Sequence, residues 1–203
     1  MTASASGRVR PQKRGIRGTR SHGTALLVID MISDWRFPDG EALARQAARI
    51  APAISALRQR CRDRGVPVIY ANDNSGQWRS DFKFVVHESM ESDGLGARIS
   101  RQLEPDVEDY FVLKPKHSAF FATPLELLLD HLEARRLILT GVTSDQCIAM
   151  TVADGRMRDF EVVVPQDCVA SITTARNRRA LATLREVLAV QTPASPQLRL
   201  EGG

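Results

Sequence analysis

Five short stretches of the chain are apolar almost without interruption: Thr24–Ile29, Val66–Ala71, Tyr110–Leu113, Leu137–Val142 and Val162–Val164. Runs of this length, rich in Val, Ile and Leu, are the pattern of parallel strands buried on both faces. Between the first two, Leu43, Ala47, Ile50, Ala51, Ile54, Leu57 and Cys61 recur at helical spacing. Pro52 falls inside that helix and predicts a kink or break, and Gly65 predicts its stop. Pro67 sits near the start of the second strand, where the missing N–H is tolerated, and Asn72–Gly76 is turn chemistry at its exit. Shorter helices are predicted over 79–89, 96–103 and 124–134, the last with Pro124 in its first turn. A further helix follows the fourth strand and a last one runs over 173–187. A short sixth strand is predicted near 188–191. Strands alternate with helices throughout, so the expected fold is a three-layer α/β/α sandwich on a parallel sheet. There is no internal repeat. There is also no GxGxxG or GxxxxGK[ST], so dinucleotide and P-loop phosphate binding have no sequence support.

The chain of 203 residues suits one domain. Its apolar runs are too short for a membrane-spanning helix. The net charge of +4 belongs to one end. Residues 1–23 carry Arg8, Arg10, Lys13, Arg14, Arg17 and Arg20 and no acid, leaving 22 basic against 24 acidic residues in the body. That segment, rich in Ser, Gly and Arg, is expected to be a disordered basic tail without a secretory signal. The domain then spans 24–192, and 193–203 read as a flexible tail. Three cysteines, Cys61, Cys147 and Cys168, are too few and odd in number for a disulfide framework, which fits a reducing, cytoplasmic compartment.

In open α/β sheets, sites form beyond the carboxyl ends of the strands. The sequence offers an acid after the first strand (Asp30), a lysine after the third (Lys114) and a thiol after the fourth (Cys147). Asp34 and Lys116 are nearby rivals, one out in a loop and the other two residues further on. Cys147 falls at a strand-to-helix turn, where Ser144 is placed to cap the helix. Free N–H groups and the helix dipole there are expected to lower the thiol pKa. A nucleophile, a base and a cation are the parts that activated-thiol catalysis requires. Cys168 reads as a small core residue.

Ala25-Leu26-Leu27-Val28-Ile29-Asp30-Met31, Lys114 with Ser118-Ala119-Phe120, and Thr140-Gly141-Val142-Thr143-Ser144-Asp145-Gln146-Cys147 resemble the three signatures of the isochorismatase-like cysteine hydrolases. Asp167–Ser171 resembles the family's segment after the fifth strand, and the resemblance covers about residues 24–190. It implies a six-stranded, Rossmann-like sheet in order 3-2-1-4-5-6, with Asp30 and Cys147 facing each other and Lys114 reaching in from two strands away. It also implies a cis peptide before Thr143, which would aim the N–H groups of Thr143 and Cys147 into an oxyanion hole. The implied reaction is cysteine-dependent hydrolysis of a C–N bond (amide, ureido or carbamoyl) through a thioester, Asp30 acting as the base and Lys114 as the cation.

The nicotinamidase branch carries Asp-x-His plus a further His as a metal site, whereas this chain has Asp73-Asn74-Ser75 at the matching place. Its four histidines show no ligand spacing, so no metal or other cofactor is expected. Trp35, Trp78, Arg79 and His117 fall in loops on the site side and are candidate contacts to a small-molecule substrate. The resemblance further implies a homo-oligomer. Other readings stay open: vinyl-ether hydrolysis of isochorismate, a non-catalytic binding protein on the same fold, and a nucleic-acid contact through the basic tail, although no nucleic-acid partner is expected.

Overall fold

The computed structural model describes residues 23–73, 81–91 and 94–200. The basic tail over 1–22, and with it Trp78 and Arg79, lie outside the described residues. Six strands form one sheet: β1 (Thr24–Ile29), β2 (Val68–Asp73), β3 (Tyr110–Lys114), β4 (Arg136–Val142), β5 (Glu161–Val163) and β6 (Val169–Ala170). All pairs are parallel, in the order β3-β2-β1-β4-β5, with β6 on β4. β5 pairs with Arg136–Ile138 at the start of β4, and β6 pairs with Gly141 and Val142 at its end. The two short strands therefore share one edge of β4, one after the other. Residues 188–191, predicted as the sixth strand, make only a single parallel bridge, Val163 to Gln191.

Alternation along β1 divides the core. Leu26 and Val28 face one cluster with α1 (Gly40–Arg62) and α3 (Leu95–Gln102), next to α2 (Phe82–Met90). Ala25, Leu27 and Ile29 face a second cluster with α4 (Leu125–His131), α5 (Ala149–Met157) and α6 (Thr174–Glu186). Both faces of the sheet are thus covered, which is why its strands read as continuous apolar runs. α1 continues through Pro52 without the predicted break. Its buried stripe, from Leu43 to Cys61, holds it against the sheet.

Residues 193–200 pack onto the domain instead of forming a loose tail. Ser195, Leu198 and Leu200 are buried. Asp167 accepts hydrogen bonds from both the amide and the hydroxyl of Ser195, and Arg60 donates to the Ser195 and Leu198 carbonyls. No helix among the described residues is long and apolar enough to cross a membrane.

β1 and β4 are neighbours at the point where the chain turns from building one half of the sheet to building the other, the position where open α/β sheets form a crevice. Gly141 lets them approach there. Its φ is +110°, and a Cβ would lie 2.0 Å from the Ile29 carbonyl oxygen, so only glycine fits.

Candidate active site

Asp30 follows the last residue of β1 in a left-handed conformation, φ 52°. One carboxylate oxygen accepts the Asp73 amide at 2.9 Å. The other lies 2.9 Å from Lys114 Nζ. Lys114 is the last residue of β3, in register with Asp73 of β2. Its side chain is 1% exposed and reaches Asp30, two strands away in the sheet. It also donates to the Lys116 carbonyl at 3.3 Å and lies 3.6 Å from Cys147 Sγ. Lys116 itself is exposed, so of the two lysines it is Lys114 that enters the crevice.

Cys147 sits on a π-helical turn, Ser144–Ile148, between β4 and α5. The Ile148 amide reaches back to the Thr143 carbonyl at 3.1 Å, and the Val142–Thr143 peptide is cis. Thr143, not Ser144, precedes the turn as its cap residue, without a side-chain capping bond, and the Ser144 hydroxyl is buried without a partner. Asp145 anchors the turn from behind. Its carboxylate accepts from Ser171 Oγ at 2.6 Å and from the Arg176 guanidinium at 2.7 and 2.6 Å. Burial alone would raise this carboxyl, but those bonds outweigh it and hold it below its ordinary value. Thr151 Oγ1 donates to the Cys147 carbonyl at 2.7 Å and accepts the Ala119 amide at 3.0 Å. One hydroxyl therefore ties the segment after β3 to the turn that carries the thiol.

The electrostatics overturn one expectation. Position at a helix start predicts a lowered thiol pKa, whereas the Cys147 thiol is pushed up to about 12. Burial is the main cause and the Asp30 carboxylate adds to it, while Lys114 and a hydrogen bond from the Thr143 backbone act the other way. Burial also raises the Asp30 carboxyl, opposed by Lys114. For Lys114, burial favours the neutral amine, but Asp30, Cys147 and Asp73 together raise its pKa. The result is a buried ion pair beside a neutral thiol. Dipole and N-terminal N–H effects are local and visible in sequence; desolvation depends on what the fold brings around the sulfur.

These groups open onto a cavity of about 650 Å³. Its walls come from the segment after β1, including Ile32, Trp35 and Phe37, and from α2, including Phe84 and Val85. Trp35 lines it but is buried against α3, where a Cβ on Gly96 would lie 2.5 Å from its ring. His117 stands at the mouth, exposed, with Nδ1 3.7 Å from Cys147 Sγ. Asn72, Thr143 and Gln146 also line the cavity. The sequence predicts turn chemistry at Asn72, whereas Asn72 is the last buried residue of β2, and the apolar run of that strand leading up to it is the signal that points to it. Asp34 lines the outer wall, with its side chain 44% exposed. Cys61 and Cys168 are buried away from the cavity. Among the described residues no group of three or more His, Cys, Asp or Glu is placed to hold a metal ion.

Comparison with known proteins agrees with the fold. The isochorismatase domain profile matches residues 24–195. The isochorismatase family protein YaaI of Bacillus subtilis is 36% identical over 174 residues, covering 86% of this chain and 95% of that protein. N-carbamoylsarcosine amidase of an Arthrobacter species is 26% identical over 168 residues, covering 77% of this chain and 64% of that protein. The crystal structure of an isochorismatase-like hydrolase from Alkaliphilus metalliredigens superposes with a TM-score of 0.69 at 22% identity, covering 86% of this chain and 93% of that one. The chain belongs to the isochorismatase family of hydrolases.

Proposed function

We propose that this protein is a cysteine-dependent amidohydrolase that cleaves a C–N bond of a small amide, ureido or carbamoyl compound. The observation that carries this reading is the position of Lys114 Nζ, 2.9 Å from Asp30 and 3.6 Å from Cys147 Sγ, two groups that line the cavity. The amidase among the relatives supports the choice of bond.

At pH 7 a thiol at about 12 is ionised in roughly one molecule in 10⁵, so attack requires a base in contact with it. Asp30 takes the thiol proton as Cys147 Sγ attacks the substrate carbonyl. Lys114 keeps the carboxylate oriented and offsets the charge on sulfur. The backbone N–H groups of Thr143 and Cys147 hold the developing oxyanion. Collapse expels the amine, which receives the proton from Asp30, and leaves a thioester on Cys147. Asp30 then deprotonates the water that attacks the thioester; the C–S bond breaks, the acid product leaves, and the proton passes from Asp30 to the departing Cys147 thiolate. His117, Trp35 and, from outside the described residues, Trp78 and Arg79 are proposed substrate contacts, His117 being the one beside the sulfur.

The test is ammonia release from a panel of small amides, ureas and carbamoyl compounds, with Cys147→Ala as the blank. The expected result is a signal that Cys147→Ala abolishes while its urea unfolding curve stays close to that of the native chain. Turnover that survives in Cys147→Ala would overturn the proposal. Silence across the panel from a folded protein would shift weight to ether-type chemistry on the same fold.

A further inference from the structure

Acylation employs Asp30, Lys114 and Cys147 and leaves His117, beside the sulfur, with no step of its own. Its place is nevertheless built into the site. The residue lies between β3 and α4, outside any helix or strand, so no ladder of backbone bonds fixes it. Bonds on either side of it do. On one side Lys114 Nζ donates to the carbonyl of the adjacent Lys116 at 3.3 Å. On the other, Ser118 is buried and its Oγ accepts the Phe120 amide at 3.2 Å. Next to it, the Ala119 amide donates to Thr151 Oγ1, which itself donates to the Cys147 carbonyl. The lysine that faces the sulfur and the backbone that carries the sulfur thus each grip the chain within two residues of His117. The 3.7 Å from its Nδ1 to Cys147 Sγ is set by the site, although the ring is exposed.

The sulfur has a dry side and a wet side. Lys114 and Asp30, at 1% and 17% side-chain exposure, are on the dry side. His117 is at the mouth, where solvent enters. In a thioester the acyl carbon is bonded to Sγ. A water poised about 3 Å from that carbon stands about as far from the sulfur as Nδ1 does. Asp30 accepts one O–H of such a water, and its own oxygens are already held by the Asp73 amide and Lys114. The second O–H needs an acceptor on the wet side, or the water is free to turn about the first bond.

We propose that His117 is a further catalytic residue, the acceptor that holds the hydrolytic water against the thioester. Neutral Nδ1 accepts one O–H of the water, with the ring proton on Nε2, and Asp30 takes the other proton. The water oxygen bonds to the acyl carbon, the C–S bond breaks, and the proton on Asp30 passes to the Cys147 thiolate. His117 neither gains nor loses a proton. The inference rests on the thioester of the amidohydrolase reading and gives the second half of that reaction its own residue.

A preformed acyl-enzyme tests it without a natural substrate. The intact chain is acetylated with p-nitrophenyl acetate, freed of reagent by rapid desalting, and followed by mass spectrometry of the Cys147 peptide. Acetyl-Cys147 is expected to hydrolyse about tenfold more slowly in His117→Leu than in the native chain, the worth of one hydrogen bond. His117→Asn, whose side-chain oxygen can take the place of Nδ1, is expected to recover most of that loss. With hydroxylamine present, which attacks as a neutral amine, the partition of the acetyl group is expected to swing from water toward hydroxylamine in His117→Leu. Equal hydrolysis in the native chain and His117→Leu overturns the inference. So does a His117→Asn chain as slow as His117→Leu, or a loss shared equally by water and hydroxylamine. A native Cys147 that takes no acetyl group overturns the thioester reading and this inference with it. A silent amide panel together with the expected acetyl-enzyme rates counts against C–N cleavage and leaves the role of His117 standing.

Discussion

Replacing Lys114 with methionine keeps most of its volume and removes its charge. The carboxylate of Asp30 then remains in the crevice without the ammonium 2.9 Å away. At an effective dielectric of about 20 the lost attraction is about 6 kcal/mol. Removing one partner of a buried pair costs a net 3–5 kcal/mol or so. Protonation limits that cost, because Asp30 can accept a proton instead of remaining charged. Starting from its ordinary value of 3.8, holding it neutral costs about 1.6 kcal/mol at pH 5 and about 5.7 kcal/mol at pH 8, at 1.36 kcal/mol per pH unit. Because burial already raises the Asp30 pKa in the folded state, its contribution to stability is fully present below 3.8 and is lost as pH rises through its folded value. Without Lys114 that folded value climbs further, and the loss extends toward neutral pH and beyond. Urea unfolding of Lys114→Met is therefore expected to show a deficit of about 3–5 kcal/mol at pH 8 that shrinks to about 1.6 kcal/mol or less at pH 5. A deficit equal at both pH values, or larger in acid, would refute the buried-pair reasoning.

The alkylation rate of Cys147 with iodoacetamide should climb close to tenfold per pH unit from about pH 6 to 9, because the thiol sits at about 12; a plateau below pH 8 would show a thiolate at rest. Asp30→Asn should lower kcat/KM by about 10²–10⁴ on whichever panel compound Cys147 turns over, and a loss under tenfold would remove Asp30 as the base. Gly141→Ala forces a Cβ to 2.0 Å from the Ile29 carbonyl at φ +110°, so unfolding in urea should show a loss of at least about 3 kcal/mol or no folded protein at all; an unchanged midpoint would contradict the close approach of β1 and β4.

The sheet was legible because its strands are buried on both faces. Thr24–Ile29 and Leu137–Val142 announce themselves as unbroken apolar runs, and each leads into a residue of the candidate site. The misses share one cause: they depend on contacts distant in sequence. Val169–Ala170 is too short to show periodicity and is a strand only because Gly141 and Val142 pair with it. Residues 193–200 look like a polar tail until Arg60 and Asp167 hold them down. The same holds at the site. Asp30, Lys114 and Cys147 could be picked out from strand ends, but the direction of the thiol shift could not, since the burial that sets it comes from the whole crevice. Trp35 shows the converse: in a loop it reads as a pocket wall, and the structure shows that it also serves as packing against Gly96.

The division of labour between sheet and walls has an evolutionary consequence. Carboxylate, ammonium and thiol hang from the ends of β1, β3 and β4, so their spacing is a property of strand register, where a slip of one residue would move a group by about 3.3 Å. Much of the outer cavity wall hangs instead from α2 and the segment after β1, outside that register. Substitutions there can reshape what enters the crevice while the reacting groups stay at fixed spacing. A scaffold divided in this way can exchange ligands without rebuilding its chemistry, and homologues should diverge first along residues 31–39 and 81–90, and last at the three strand ends.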